Sequence, residues 1–219
     1  MHKEEFHGDK KKGMSILSKL EIKLRNRLVP LVPKSIETYH LTLTTILWSL
    51  LIMVFSFLTR YNINFLWVVS LMIFFQYITD LLDGEIGRQR KTGLIKWGFY
   101  MDHFLDYTFL SSILIGYSLL LQPKQLYLLF FILALFGAFM VNSFLSFAAT
   151  NEFKISYLGI GPTEVRIIFI IINTLIIIFG KTYIGPALPY ILLFALLGLI
   201  ITVYRTQEYI WKIDMKNKD

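Results

Sequence analysis

The run LTLTTILWSLLIMVFSFLT, residues 41–59, contains no charged residue. A helix that crosses about 30 Å of hydrocarbon needs roughly 17–25 mostly apolar residues, so this run reads as a membrane span. Five more runs of the same kind follow, at residues 63–79, 99–121, 126–149, 165–180 and 186–204. The runs at 63–79 and 165–180 are short, and the one at 99–121 carries Asp102 and Asp106 in its first turns. Composition agrees: 55% of the chain is hydrophobic and 17% charged, against about 25% charged in soluble domains. Mean hydropathy is +0.58. A water-soluble globule and a disordered chain are both disfavoured. The absence of cysteine excludes disulfide scaffolds, thiolate metal sites and cysteine nucleophiles.

Lysine and arginine set the expected orientation, because cytoplasmic links carry them in excess. Only Arg60, Lys124 and Lys181 fall in the alternate links; every other lysine and arginine lies before the first span, after the last, or in the links on that same side. Both termini are therefore expected in the cytoplasm. Orientation also accounts for the net charge of +7, and no nucleic-acid partner is expected. Ahead of the first span, Ile16, Leu20, Leu24 and Leu28 recur every four residues with Lys19, Lys23, Arg25 and Arg27 among them. That pattern predicts an amphipathic helix in the membrane interface, its basic groups near anionic headgroups, broken by Pro30 and Pro33. A cleavable signal peptide is not expected, since the basic start lacks an uninterrupted apolar core. The expected fold is an all-α membrane protein of six transmembrane helices preceded by this interfacial helix. Its parts are a disordered basic tail at 1–13, the interfacial helix at 14–34, a six-helix catalytic domain at 35–205 and a cytoplasmic tail at 206–219. His2 and His7 in the first tail are too isolated to propose as metal ligands.

Ionisable groups inside membrane segments are costly and mark function by default. Here they cluster. Asp80, Asp83, Gly84, Gly87 and Arg88 share one helical face by spacing, and Gly98, Asp102 and Asp106 share one face of the next helix. A short link holds the two helices antiparallel and brings both stripes together near the cytoplasmic surface. Four carboxylates converging in a partly dry site repel one another, and a divalent cation removes the conflict. Oxygen-only ligation points to a hard ion, Mg²⁺ or Mn²⁺. Gly84, Gly87 and Gly98 leave room for close approach of a ligand, and Arg88 offers a fork for phosphate oxygens. Together these residues describe a site for a diphosphate compound. Each also has a plainer reading: glycine packs membrane helices closely, and Arg88 suits a positive-inside anchor.

The stretch Asp80-Leu-Leu-Asp83-Gly84-Glu-Ile-Gly87-Arg88, nine residues, then Gly98-Phe-Tyr-Met-Asp102-His-Phe-Leu-Asp106 resembles the signature of the CDP-alcohol phosphotransferase family. That signature reads D-x-x-D-G-x-x-A-R, a spacer, and G-x-x-x-D-x-x-x-D. Gly87 stands where the family has Ala, which keeps the position small. If smallness is all it needs, Gly87→Ala is expected to preserve activity and to stabilise the helix. The first span also departs from the Pro-Asn-x-x-Thr-like entry of many members, leaving Thr42 and Thr44 as weak candidates for a nucleotide contact there.

The resemblance implies transfer of a substituted phosphoryl group from a CDP-linked donor to an alcohol, with release of CMP, in phospholipid synthesis. It implies that Asp80, Asp83, Asp102 and Asp106 surround one or two divalent ions. It makes Asp106 the general base, lines the cytidine-diphosphate pocket with Gly84, Gly87, Arg88 and Gly98, and implies a homodimer. Most small members use CDP-diacylglycerol and a soluble alcohol; others pair CDP-choline or CDP-ethanolamine with diacylglycerol. Glu164 and Arg166 either line the acceptor pocket or form a charge pair at a helix start, where the Glu favours the N-terminal dipole. Asn142 and Asn173 read as hydrogen-bonding groups between helices. His103 points off the face of Asp102 and is assigned no role. An intramembrane prenyltransferase also uses Asp-rich helix ends, but normally with two motifs in distant helices. A divalent-cation transporter would leave the arginine and the glycines without a purpose.

Overall fold

The computed structural model describes residues 10–12, 16–154 and 159–216. Among these, seven α-helices dominate: α1 (Ser18–Leu28), α2 (Thr38–Leu58), α3 (Phe65–Arg90), α4 (Ile95–Ser118), α5 (Leu126–Thr150), α6 (Pro162–Phe179) and α7 (Ile184–Lys216). Each expected apolar run falls on one of α2 to α7. Two helices run well past their apolar runs. α3 continues from Thr79 to Arg90, and α7 continues through most of the expected tail. Hydropathy marks where the hydrocarbon ends, while a helix ends where its backbone is capped. α3 stops at Lys91, which takes a left-handed conformation (φ 52°) and gives its N–H to the Gly87 carbonyl, a common way for a helix to close.

Five of the helices, α2, α3, α5, α6 and α7, are long and apolar enough to cross a membrane. α4 has 24 residues, ample length for a span, but its aspartates lower its apolar character. α2 and α4 run side by side. A side chain at Gly116 of α4 would collide with Ser56 of α2, so the absence of one lets the two backbones meet closely. α3 is antiparallel to α2: Trp48 Nε1 donates to Thr79 Oγ1 at 3.2 Å, and Phe55 and Phe65 stack with centroids 6.0 Å apart. α6 joins this group through Asn173, whose Nδ2 donates to Ser70 Oγ (3.0 Å) and whose Oδ1 accepts from Tyr117 Oη (2.9 Å). The core between these helices is apolar, with Ile52, Ile73, Ile113 and Ile132 fully enclosed. α5 and α7 pack on each other, with Asn142 Nδ2 reaching Thr206 Oγ1 at 3.4 Å. Asn142 and Asn173 thus serve between helices, as expected.

α1 lies against the polar end of α3, where Arg25 meets Glu85. α1 has no buried residue and is followed by one 3₁₀ turn at Val29–Leu31, where the prolines break it. Lys10–Lys12 forms a strand, β1, parallel to β2 (Glu152–Lys154) in the link after α5. Residues 10–12 of the expected disordered tail are therefore extended and paired, because β2 supplies their main-chain partners. The rest of that tail, with His2 and His7, lies outside the described residues. Phe153 of β2 is buried among Phe99, Phe144, Phe147 and His103, and Glu152 accepts a hydrogen bond from Tyr209 of α7 at 2.7 Å.

Candidate functional site

Arg166 is the hub of the site, and its role was one of two left open by sequence. It lies one turn into α6, is 5% exposed, and faces α3 and α4. Nε donates to Gln76 Oε1 at 2.7 Å, and Nη2 donates to Asp80 Oδ2 at 3.0 Å and to Asp106 Oδ1 at 3.3 Å. Its guanidinium also sits 5.6 Å from the centroid of the Phe109 ring. A rigid fork with several donors suits this task in a way an ammonium does not. Gln76 had no signal in the sequence: a lone amide in an apolar run reads as a packing group.

Asp83 is held from α2. Thr42 Oγ1 donates to its Oδ2 at 2.9 Å, and Thr38 Oγ1 donates to its main-chain carbonyl at 2.7 Å. Thr42 thus contacts the acid stripe, whereas Thr44 bonds back to the Leu41 carbonyl of its own helix. Gly87 faces the same neighbour: a Cβ there would lie 3.2 Å from Thr38 Oγ1. Its smallness serves the packing of α3 on α2. The gain of about 0.8–1 kcal/mol expected from Gly→Ala in a helix is then opposed by crowding of a buried hydrogen-bonded hydroxyl. Gly87→Ala is expected to lower the unfolding midpoint in the wild-type background and to raise it in a Thr38→Ala background. Equal shifts in both backgrounds would remove Thr38 from the account.

Asp102 and Asp106 lie one turn apart on α4. Arg166 joins Asp80 of α3 to Asp106 of α4, so the two acid-bearing helices meet at this side chain. His103, assigned no role from sequence, joins them: its Nδ1 lies 3.4 Å from Asp102 Oδ2. The cause is tertiary. Phe153 stacks on the imidazole (4.5 Å, 15°) and Phe99 meets it edge-on, turning the ring back along α4. Asp102, His103 and Asp106 each offer a ligand atom, all within 4.8 Å of one another. Opposite oxygen ligands of Mg²⁺ or Ca²⁺ stand about 4–5 Å apart, so the two carboxylates of this group suit a hard divalent ion, and Arg166 sets a cation against Asp80 and Asp106.

The remaining candidates are spread around this centre. Arg88 does not touch the aspartates; it pairs with Glu85 at 2.9 Å and is largely exposed, its Nη1 being 3.6 Å from where a Gly84 Cβ would lie. Nothing stands within 4 Å of a Cβ at Gly98. Gly84 and Gly98 therefore border open space, and Gly87 does not. Glu164 is engaged in local structure: Oε2 accepts from the Gly161 N–H at 2.8 Å, capping α6, and Oε1 accepts from the Leu17 N–H at 2.9 Å, holding the start of α1. Of the Glu164–Arg166 pair, the acid supports a helix start and the base enters the site.

A cavity of about 290 Å³ has Arg166 in its lining. Leu17, Leu20 and Glu21 of α1 and the turn before it form one wall, Ile73, Phe74 and Tyr77 of α3 a second, and α6 the third. Its lining is mostly apolar, with Glu21, Thr163 and Arg166 as polar members.

The family model described as CDP-alcohol phosphatidyltransferase matches residues 39–204. No curated protein and no solved structure matches the chain.

Proposed function

The chain belongs to the CDP-alcohol phosphatidyltransferase family, a family of membrane phosphotransferases of phospholipid synthesis, and from that premise we propose that it transfers a phosphatidyl group from CDP-diacylglycerol to an alcohol, releasing CMP. The observation that carries this reading is the mostly apolar cavity with Arg166 in its lining, itself bonded to Asp80 and Asp106. Acyl chains suit its apolar walls, and a diphosphate suits the acids and the metal they would hold beside Arg166.

The acceptor oxygen bonds to the phosphorus that carries the lipid. The bond from that phosphorus to the bridging oxygen breaks, CMP leaves with the electron pair, and Asp106 takes the hydroxyl proton. Asp80, Asp83, Asp102 and Asp106 would hold Mg²⁺ or Mn²⁺; when bound, such an ion neutralises diphosphate oxygens and favours ionisation of the acceptor hydroxyl. Arg166 fixes the orientation of Asp80 and Asp106 and excludes water from behind them, which keeps the reacting groups aligned. Gly84 and Gly98 leave space for the nucleotide, and Arg88 stands at its edge. The same cavity accommodates diacylglycerol as acceptor, with CDP-choline or CDP-ethanolamine as donor. Metal-dependent CMP release from purified protein, tested with both donor types against a panel of alcohols, decides between the two. No CMP from any pair would sink the enzyme reading.

Six crossings with the site in the cytoplasm complete the proposal. α4 lies along α2 and has the length of a span, and α1 and the end of α7 lie at the site's end of the bundle, as an even number of crossings requires. α1 then rests in the cytoplasmic interface, and a homodimer belongs to the same reading. Since the chain has no cysteine, single cysteines beside Arg60, Lys124 and Lys181 are expected to react with an impermeant reagent from outside, and one at Arg90 only after permeabilisation. Labelling of the Arg90 site in intact cells would put the aspartates away from cytosolic nucleotides.

A further inference from the structure

α1 is the one wall of the lipid cavity that is not a packed span. It has no buried residue, and Leu20 is 64% exposed, so the contacts that hold it are few. Its start is held by Glu164 and by the Ile16 N–H, which donates to the Gly159 carbonyl at 3.2 Å, and Arg25 Nε lies 3.5 Å from Glu85 Oε2 on α3. A further tie is Arg90, at the end of α3. Its Nη2 donates to the carbonyls of Val32 and Pro33, each at 3.1 Å, and its Nη1 to the carbonyls of Ile36 and Lys34. These carbonyls belong to the link between α1 and α2, where Pro30 and Pro33 remove N–H donors and prevent a regular ladder. One guanidinium thus gathers carbonyls that secondary structure leaves unused. Beneath it, Val29, Leu41, Leu82 and Ile86 form a small separate core.

We infer that Arg90 is a positioning residue for the lipid substrate: by clamping the α1–α2 link it fixes α1 as a wall of the cavity that Arg166 helps to line. The inference rests on the reading that the cavity takes the apolar part of the lipid. Arg90 touches neither the aspartates nor Arg166 among its hydrogen bonds, so its loss acts on the docking of α1 and leaves the reacting groups in place. When α1 is docked for only a fraction of the time, the apparent affinity for the lipid falls by that fraction. A docked fraction between about a half and a tenth raises the apparent KM about two- to tenfold.

The test uses the full-length protein in lipid nanodiscs, comparing Arg90→Gln, Arg90→Lys and wild type. Spin labels on Lys19→Cys and Ile168→Cys, outside the cavity lining, report the α1–α6 distance without reference to activity. Arg90→Gln is expected to broaden that distance distribution and to raise KM for CDP-diacylglycerol two- to tenfold. Its kcat and its KM for the soluble alcohol are expected within twofold of wild type. Arg90→Lys, which folds with the charge kept but cannot fork across the carbonyls, is expected between the two. An unchanged distance distribution would overturn the clamp. A broadened distribution with an unchanged lipid KM would also overturn the inference, and would place the failure in the cavity reading. A fall in kcat at constant KM would show that Arg90 acts on the reacting groups instead.

Discussion

Arg166→Met is expected to lose turnover and to destabilise the fold by about 3–5 kcal/mol, the usual cost of removing one partner from a buried ion pair. The side chain is almost fully enclosed, and its nitrogens face Gln76, Asp80 and Asp106. Methionine fills similar space but leaves two carboxylates facing each other and the Gln76 carbonyl without its donor. Arg166→Lys is expected to fold closer to wild type yet turn over poorly, since a single ammonium cannot satisfy three acceptors in separate directions. Unfolding midpoints in detergent, with and without Mg²⁺, measure the effect. Added metal is expected to recover part of the loss in Arg166→Met, because it supplies positive charge to the same oxygens. A Met variant as stable as wild type in the absence of metal would mean that the acids do not depend on Arg166.

Asp80→Asn and Asp102→Asn are expected to abolish turnover together with metal-dependent donor binding, each removing a ligand oxygen. Asp106→Asn is expected to behave differently, keeping much of the donor binding while turnover falls about 10²–10⁴-fold, the usual contribution of a general base. Donor affinity measured by calorimetry, alongside CMP release, separates the two classes. Asp80 and Asp106 share Arg166, so the two substitutions are not independent, and the double variant is expected to cost less than the sum of the singles. Equal loss of binding in all three single variants would make Asp106 chiefly another ligand.

The positions of the six long helices were legible because apolar length has one physical meaning in a bilayer, and the acid stripes because spacing of three and four residues defines a helical face. The reach of Arg166 was not. Its partners lie 60 to 90 residues away in sequence, and only packing of α6 against α3 and α4 brings them together. His103 shows a different limit. Its helical position points it away from Asp102's face, and the ring returns because Phe153, from a distant strand, covers it. Gly87 carried a signal for smallness without its neighbour: the sequence required a small residue, and the structure sets Thr38 against it. The helical extension of α3 beyond its apolar run escaped hydropathy, since the motif residues there are polar and helical at once.

The pairing of β1 with β2 carries a consequence for how the protein is made. Lys10–Lys12 leaves the ribosome well before its partner Glu152–Lys154, which follows only after α5. At 5–20 residues per second, the first strand waits roughly 7–28 s for the second. Glu164, which holds Leu17, arrives later still. Until then the N-terminal segment has no main-chain partner in this sheet and no anchor from α6, while α2 to α5 are made one after another. Of the ties that seat α1, the one from Glu164 is thus among the last to form, whereas Glu85 and Arg90 are present once α3 is made. A nascent chain arrested before residue 152 is expected to leave its N-terminal segment open to protease, and one extended past α6 to protect it.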